Sequence, residues 1–177
     1  MVTVRRLAGS DVDPALRARI RELLDLAFSE GFSEDDWDHA CGGRHVLVTD
    51  GDVLVAHAAV VPRTLEVGDR SFPAGYVEAV ATAPDRQGQG FGSLAMTEVA
   101  RILHEEYAVG ALSTGRHSFY GRLGWERWLG PTFVNDGAER RRTEEDDDGV
   151  MVLRIGASRG VDLRAPVVCP ARSGDDW

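Results

Sequence analysis

Val77-Glu78-Ala79-Val80-Ala81-Thr82-Ala83-Pro84-Asp85-Arg86-Gln87-Gly88-Gln89-Gly90-Phe91-Gly92 joins two kinds of pattern in one short run. As far as Thr82 it is rich in small and β-branched residues and reads as a strand. Ala83-Pro84-Asp85 ends that strand. From Phe91 the apolar residues Leu94, Ala95, Val99, Ile102 and Leu103 recur at helical spacing, which predicts an amphipathic helix. Between the two lies Gln87-Gly88-Gln89-Gly90-Phe91-Gly92. Glycines let a backbone turn tightly and approach a ligand, and the first N–H groups of a helix have no partner within it. That combination binds phosphate. A nucleotide P-loop is excluded, because it ends in Gly-Lys-Ser/Thr and the chain has no lysine. A dinucleotide fingerprint needs G-x-G-x-x-G, whereas this loop reads G-x-G-x-G. Which phosphate ligand it takes is left open by this physics.

Upstream, Thr3 to Leu7 reads as a first strand. Asp13-Pro14 then predicts a helix start, with Asp13 as N-cap and Pro14 at the first helical position. Leu16, Ile20, Leu23, Leu24 and Ala27 give that helix one apolar face. Ser33 caps a second, short helix whose first turn, Glu34-Asp35-Asp36, suits the positive end of the helix dipole. His45 to Thr49 and Val53 to Val61 are strands joined by the turn Asp50-Gly51-Asp52. Arg63 to Val67 stays extended, and Gly68-Asp69-Arg70 turns the chain toward Tyr76 to Thr82, completing an antiparallel meander. Downstream, Ala108 to Ser113 is another apolar strand. The strand–loop–helix–strand unit is therefore expected to be a parallel crossover. His117 to Leu123 is expected to be a short helix ended by Gly124. Glu144 to Asp148 reads as an acidic surface loop, Val150 to Ile155 as a late strand, and Gly156 to Trp177 shows no periodicity. The fold class is mixed α/β, expected as one domain over residues 1–177.

Composition narrows the function. The formal net charge is -9 and every basic side chain is arginine, which disfavours nucleic acid and anionic membranes and favours a cationic ligand. No apolar run is long enough for a membrane span and the N-terminus carries no secretory pattern, so a soluble, cytoplasmic protein is expected. Cys41 and Cys169 lie in no ligand spacing and are expected as free thiols, and the five scattered histidines indicate no metal site.

Gln87-x-x-Gly90-x-Gly92 after the strand Val77–Thr82 resembles the acetyl-CoA pyrophosphate loop of the GNAT superfamily of N-acetyltransferases. Phe119-Tyr120-Gly121-Arg122-Leu123-Gly124-Trp125 resembles that superfamily's second hallmark, a tyrosine shortly before a Gly-aromatic pair. Phe32-Ser33-Glu34-Asp35-Asp36-Trp37, Ala56-His57-Ala58-Ala59-Val60, Gly75-Tyr76-Val77-Glu78, Gly110-Ala111-Leu112-Ser113, Asp146-Asp147-Asp148-Gly149 and Asp175-Asp176-Trp177 are similar to the aminoglycoside 2'-N-acetyltransferases. The likeness runs over nearly the whole chain.

The resemblance implies a GNAT fold and acetyl-CoA as cosubstrate. The backbone at Val80 and Thr82 would pair with the pantetheine arm, and the amides of Gln87, Gly88, Gln89, Gly90, Phe91 and Gly92 would take the pyrophosphate. Glu78 is implied as the general base acting through a water, and as a substrate contact; Tyr120 is implied as the general acid. Asp36, Ser113, Asp147, Asp175 and the α-carboxylate of Trp177 are implied acceptor contacts. A cationic aminoglycoside is the implied partner, antibiotic resistance a possible role, and a homodimer the expected assembly. Two departures bear on the acceptor. Gly31 stands where the family carries an aspartate, with Glu30 one position earlier, so that contact is either missing or supplied by Glu30, and the segment from Ser113 to Tyr120 is shorter. Acceptors other than an aminoglycoside, such as a polyamine or a peptide amine, and a non-catalytic acetyl-CoA-binding module stay open.

Overall fold

A computed structural model of the chain describes residues 1–28 and 31–177. These fall into two compact units, Met1–Val61 with Val77–Ile102, and Pro62–Tyr76 with Leu103–Trp177. Strands β3 (Val53–Val67) and β4 (Arg70–Thr82) contribute residues to both.

The first unit begins with β1 (Val2–Ala8), α1 (Pro14–Ala27), α2 (Glu34–Cys41) and β2 (Arg44–Asp50). Asp13 caps α1 as its sequence requires, its carboxylate accepting from the Leu16 N–H at 2.8 Å. Antiparallel ladders join β1 to β2 and β2 to β3. Ile20, Leu23 and Leu24 of α1 are buried with Phe32, Trp37, Leu47, Leu54 and Ala81, forming the core of the unit. The helix α3 (Phe91–Glu106) starts directly behind the glycine loop, and Arg6 of β1 is ion-paired to its Glu98.

This unit also buries two imidazoles. His57 on β3 has no exposed surface, and its Nε2 lies 2.9 Å from Nδ1 of His45 on β2. Burial first, and then the neighbouring His45, push the His57 pKa down to about 3. An unfolded chain takes up a proton there near pH 6.5 and the native state does not. Stability is therefore complete above about pH 6.5 and is lost as pH falls through about 3, at up to ~1.4 kcal/mol per pH unit per proton. Urea unfolding at pH 7, 5.5 and 4.5 should show this slope, and His57→Leu should flatten it. An unchanged slope in the variant would assign acid sensitivity to carboxylates instead.

The second unit contains β5 (Val109–Ser113), α4 (His117–Gly121), β6 (Glu126–Arg127), β7 (Thr132–Asn135), β8 (Arg140–Arg142), β9 (Val150–Arg154) and β10 (Val167–Pro170). Its strands follow the order β6-β9-β5-β4-β3-β10-β7-β8. The ladder between β4 and β5 is parallel, from Ala74↔Val109 to Tyr76↔Ala111, as expected of a crossover through α3. One sequence expectation is corrected here. The segment after Gly156 is not without regular structure: Val167–Pro170 inserts as β10, antiparallel to β3 and parallel to β7. Within the acidic surface loop, Glu144–Asp146 form a turn of 3₁₀ helix.

Candidate active site

The glycine loop has the shape its composition suggested. Gly88 and Gly90 adopt φ of 77° and 88°, values that side chains with a Cβ rarely take. No atom lies within 4 Å of where a Cβ would stand at either, so the loop is open on that side. Gln87 and Gln89 brace it from within, donating from their side-chain amides to the carbonyls of Thr82 (3.4 Å) and Asp85 (3.3 Å). Residues 87–90 are exposed, Phe91 is buried as the anchor of α3, and Gly92 is half-buried. The Leu94 N–H already donates to the Gly90 carbonyl, so the helix begins as the loop ends. An exposed glycine-rich turn before a four-turn helix suits a diphosphate.

On β4 before this loop, Glu78, Val80 and Thr82 are half-buried. Between Glu78 and Val80 the chain is irregular: Ala79 has φ of 51°, the one non-glycine in the left-handed region among the described residues. A strand residue so placed breaks the pleat and re-aims its neighbours.

The second unit carries Ser113, Tyr120, Asp147, Asp175 and Trp177. Ser113 ends β5 opposite Val150, with the Thr114 N–H donating to the Gly149 carbonyl at 2.9 Å. The acidic turn thus closes beside Ser113. Asp147 does not offer a free carboxylate to a ligand. Oδ1 accepts from the Thr132 N–H (2.9 Å), the Thr132 hydroxyl (2.9 Å) and Arg142 (2.7 Å), and Oδ2 from the same guanidinium. Arg142 first of all, then the Thr132 donors, hold the Asp147 pKa down near 2. Its neighbour Asp146 behaves oppositely. Burial, then Glu145, Asp175 and Asp176, raise its pKa, so these carboxylates share one negative field. The turn geometry, which spacing does not reveal, commits the Asp147 carboxylate to Arg142 and Thr132.

Trp177 is 5% exposed, and its indole N–H donates to the Thr143 hydroxyl, which donates in turn to Thr132. Arg63 takes the Asp176 and Pro170 carbonyls at 2.6 Å each, and Arg141 pairs with the Asp176 carboxylate. The terminus is therefore fastened, not trailing. Deleting Trp177 should lower the midpoint of thermal unfolding by several degrees and weaken acceptor binding ~10-fold, while leaving acetyl-CoA affinity within ~2-fold. Equal loss of both affinities, by calorimetry, would make the tail a general scaffold.

Tyr120 lies on α4, 7% exposed, edge-on to Phe119 and Trp125 at centroid distances of 4.9 and 6.2 Å. Its carbonyl accepts from the N–H groups of Leu123 and Trp125, which ties the Gly124-Trp125 pair back onto it. Burial raises the phenol pKa to about 12, with Arg116 acting weakly in the other direction. Asp36, expected as an acceptor contact, works in the first turn of α2. Its Oδ2 accepts from the Ser33 N–H and hydroxyl while Ser33 Oγ accepts from the Asp36 N–H, a reciprocal capping box. Glu30 lies outside the described residues, and Gly31 has φ of 95° with open space around it.

Residues 3–128 match the acetyltransferase (GNAT) domain family. This chain belongs to the GNAT acetyltransferases. It is 42% identical over 180 residues to an aminoglycoside 2'-N-acetyltransferase of Mycolicibacterium fortuitum, with 99% of this chain and 92% of that protein aligned. Solved structures share the fold. A GNAT family N-acetyltransferase (YhbS) of Escherichia coli, in complex with CoA, superposes with a TM-score of 0.66 at 18% identity, covering 94% of this chain and 88% of that one. A GNAT family acetyltransferase of Brucella melitensis, in complex with acetyl-CoA, superposes with a TM-score of 0.63 at 17% identity, covering 94% of each. The fold class and family expected from the sequence are thus borne out for this GNAT chain. No helix among its described residues is long and apolar enough to cross a membrane.

Proposed function

We propose that this GNAT enzyme moves the acetyl group of acetyl-CoA to the 2'-amine of an aminoglycoside, as a cytoplasmic homodimer able to confer antibiotic resistance. The observation that carries the acceptor class is the 42% identity to an aminoglycoside 2'-N-acetyltransferase over 99% of the chain. Independent support comes from the neighbouring carboxylates of Asp146 and Asp175, whose negative field suits a polycationic sugar. The reading of a polyamine or peptide acceptor has no comparable support.

In this scheme the amides from Gln87 to Gly92 hold the pyrophosphate and the backbone at Val80 and Thr82 holds the pantetheine arm. Ser113, Asp175 and the carboxylate of Trp177 orient the acceptor; Asp36 and Asp147 act one step back, fixing the α2 turn and the acidic turn. Glu30 would take the place of the family's aspartate. Glu78 accepts, through a water, the proton that the ammonium must lose before nitrogen attacks the thioester carbon. As the C–N bond forms and the C–S bond breaks, the second proton shed by the nitrogen passes to the departing sulfur, which Tyr120 hydrogen-bonds as it leaves as the thiol.

A phenol with a pKa of about 12 is a poor acid toward a thiolate, whose conjugate acid sits near 8.5. Tyr120 therefore contributes more as a fixed donor than as a full proton source. Tyr120→Phe should lower kcat only ~10-fold, with KM for acetyl-CoA little changed and no loss of a basic limb below pH 10. A drop beyond ~1000-fold would restore obligate proton transfer. The acceptor is tested by thiol release from acetyl-CoA with untagged protein and paired aminoglycosides bearing a 2'-amine or a 2'-hydroxyl. Turnover confined to the amines is expected; equal turnover with both would refute the 2' assignment. Sedimentation equilibrium tests the dimer.

A further inference from the structure

An alanine at φ of 51° inside a strand is unfavourable, and glycine would avoid that cost. Something must hold Ala79 there. Its carbonyl accepts from Nδ1 of His57 at 2.8 Å, and His57 Nε2 meets Nδ1 of His45 at 2.9 Å. The far nitrogen of His45 faces the Cys41 carbonyl at 3.4 Å. The rings are 0% and 1% exposed, so they form a closed chain within the first unit.

The protons in this chain follow from its end. A carbonyl only accepts, so His57 Nδ1 must carry a hydrogen. In a neutral ring Nε2 is then bare, so His45 Nδ1 donates to it. The consequence lies one bond further along. The Ala79–Val80 peptide is planar and trans, with its C=O and N–H pointing in opposite directions. Fixing the Ala79 carbonyl on the buried imidazole therefore turns the Val80 N–H away from that imidazole.

We propose that His57, oriented by His45, is a positioning residue for acetyl transfer: it sets the Ala79–Val80 peptide plane and so aims the Val80 N–H at the thioester carbonyl. This rests on the function proposed above, in which β4 holds the acyl arm. A donor fixed before the reaction stabilises the oxyanion as it forms, without having to reorient.

The test pairs two variants with one spectrum. His57→Leu keeps an apolar side chain of moderate size and removes the donor, whereas His57→Asn presents an amide N–H from nearly the position of Nδ1. His57→Leu should lower kcat with a 2'-amino aminoglycoside ~30-fold while changing the Kd of free CoA less than ~3-fold, since CoA lacks the thioester carbonyl. His57→Asn should recover most of kcat. Long-range ¹H–¹⁵N correlation of wild-type protein should show His57 protonated on Nδ1 and bare on Nε2. Protonation on Nε2 alone would overturn the proposal. So would wild-type kcat in His57→Leu, or an equal loss in the Leu and Asn variants with folded spectra. Wild-type protein that binds no acetyl-CoA would instead overturn the acetyltransferase function itself, an outcome told apart because the other failures occur with CoA binding intact.

Discussion

Glu78→Gln should lower kcat with a 2'-amino acceptor by ~10²- to 10³-fold at neutral pH, the larger effect for the side chains proposed to act in the chemistry. The amine arrives as an ammonium, which has no lone pair to attack with. Glutamine matches glutamate in size and can hydrogen-bond a water, yet it cannot keep a proton. The substitution thus removes one capacity and leaves packing on β4 intact. The deficit should have a pH signature. As pH rises and the acceptor itself becomes neutral, the base is needed less, and the ratio of wild-type to variant rate should narrow. A general loss of fold or of acetyl-CoA binding would give a ratio independent of pH. Full kcat/KM profiles from pH 6 to 9.5 decide it. A ratio near one throughout would remove Glu78 from the proton path, and a large constant ratio would make it an orienting residue only.

The elements that were legible carry their own local signals. Asp13-Pro14 specifies a helix start through a side-chain acceptor and a fixed φ, and the carboxylate is found on the Leu16 N–H. The glycine loop was legible for the same kind of reason, because positive φ at Gly88 and Gly90 is a demand few residues meet. β7, β8 and β10 were not legible. Thr132–Asn135 and Val167–Pro170 are four-residue pieces whose pairing is with each other and with β3, far along the chain. No local alternation can announce a partner that distant. Site residues divided likewise. Ser33 was read correctly as a cap; that Asp36, named as an acceptor contact, completes its box was not read. A carboxylate looks the same in sequence whether it holds a turn or a ligand. Nothing local marks Ala79 as the left-handed residue, since alanine is ordinary in a strand. Its support is a histidine well back in the chain, on β3.

Gly90→Val should weaken CoA binding ~100-fold while leaving kcat at saturating acetyl-CoA within a few-fold. Nothing lies within 4 Å of the added Cβ, so no clash is involved. The effect comes from the backbone alone. A β-branched residue at φ of 88° is strongly disfavoured, and the loop relieves this by rotating Gly90 to negative φ. Leu94 is already bonded to the Gly90 carbonyl, so the helix side resists and the rotation falls on the peptide between Gln89 and Gly90. The N–H groups there turn from the diphosphate. Charge-assisted hydrogen bonds contribute about 1.5–3 kcal/mol each, so losing one or two gives a hundredfold change in Kd. The fold should survive, because residues 87–90 are exposed and the core of this unit is carried by α1, α2 and β2–β4. The melting midpoint should fall by only a few degrees. Titration calorimetry with CoA, and with a CoA analogue lacking the 3'-phosphate, separates the contributions: the same proportional loss for both places the damage at the pyrophosphate. Unchanged CoA affinity in the valine variant would mean that the loop is only a turn and that the phosphates are held elsewhere.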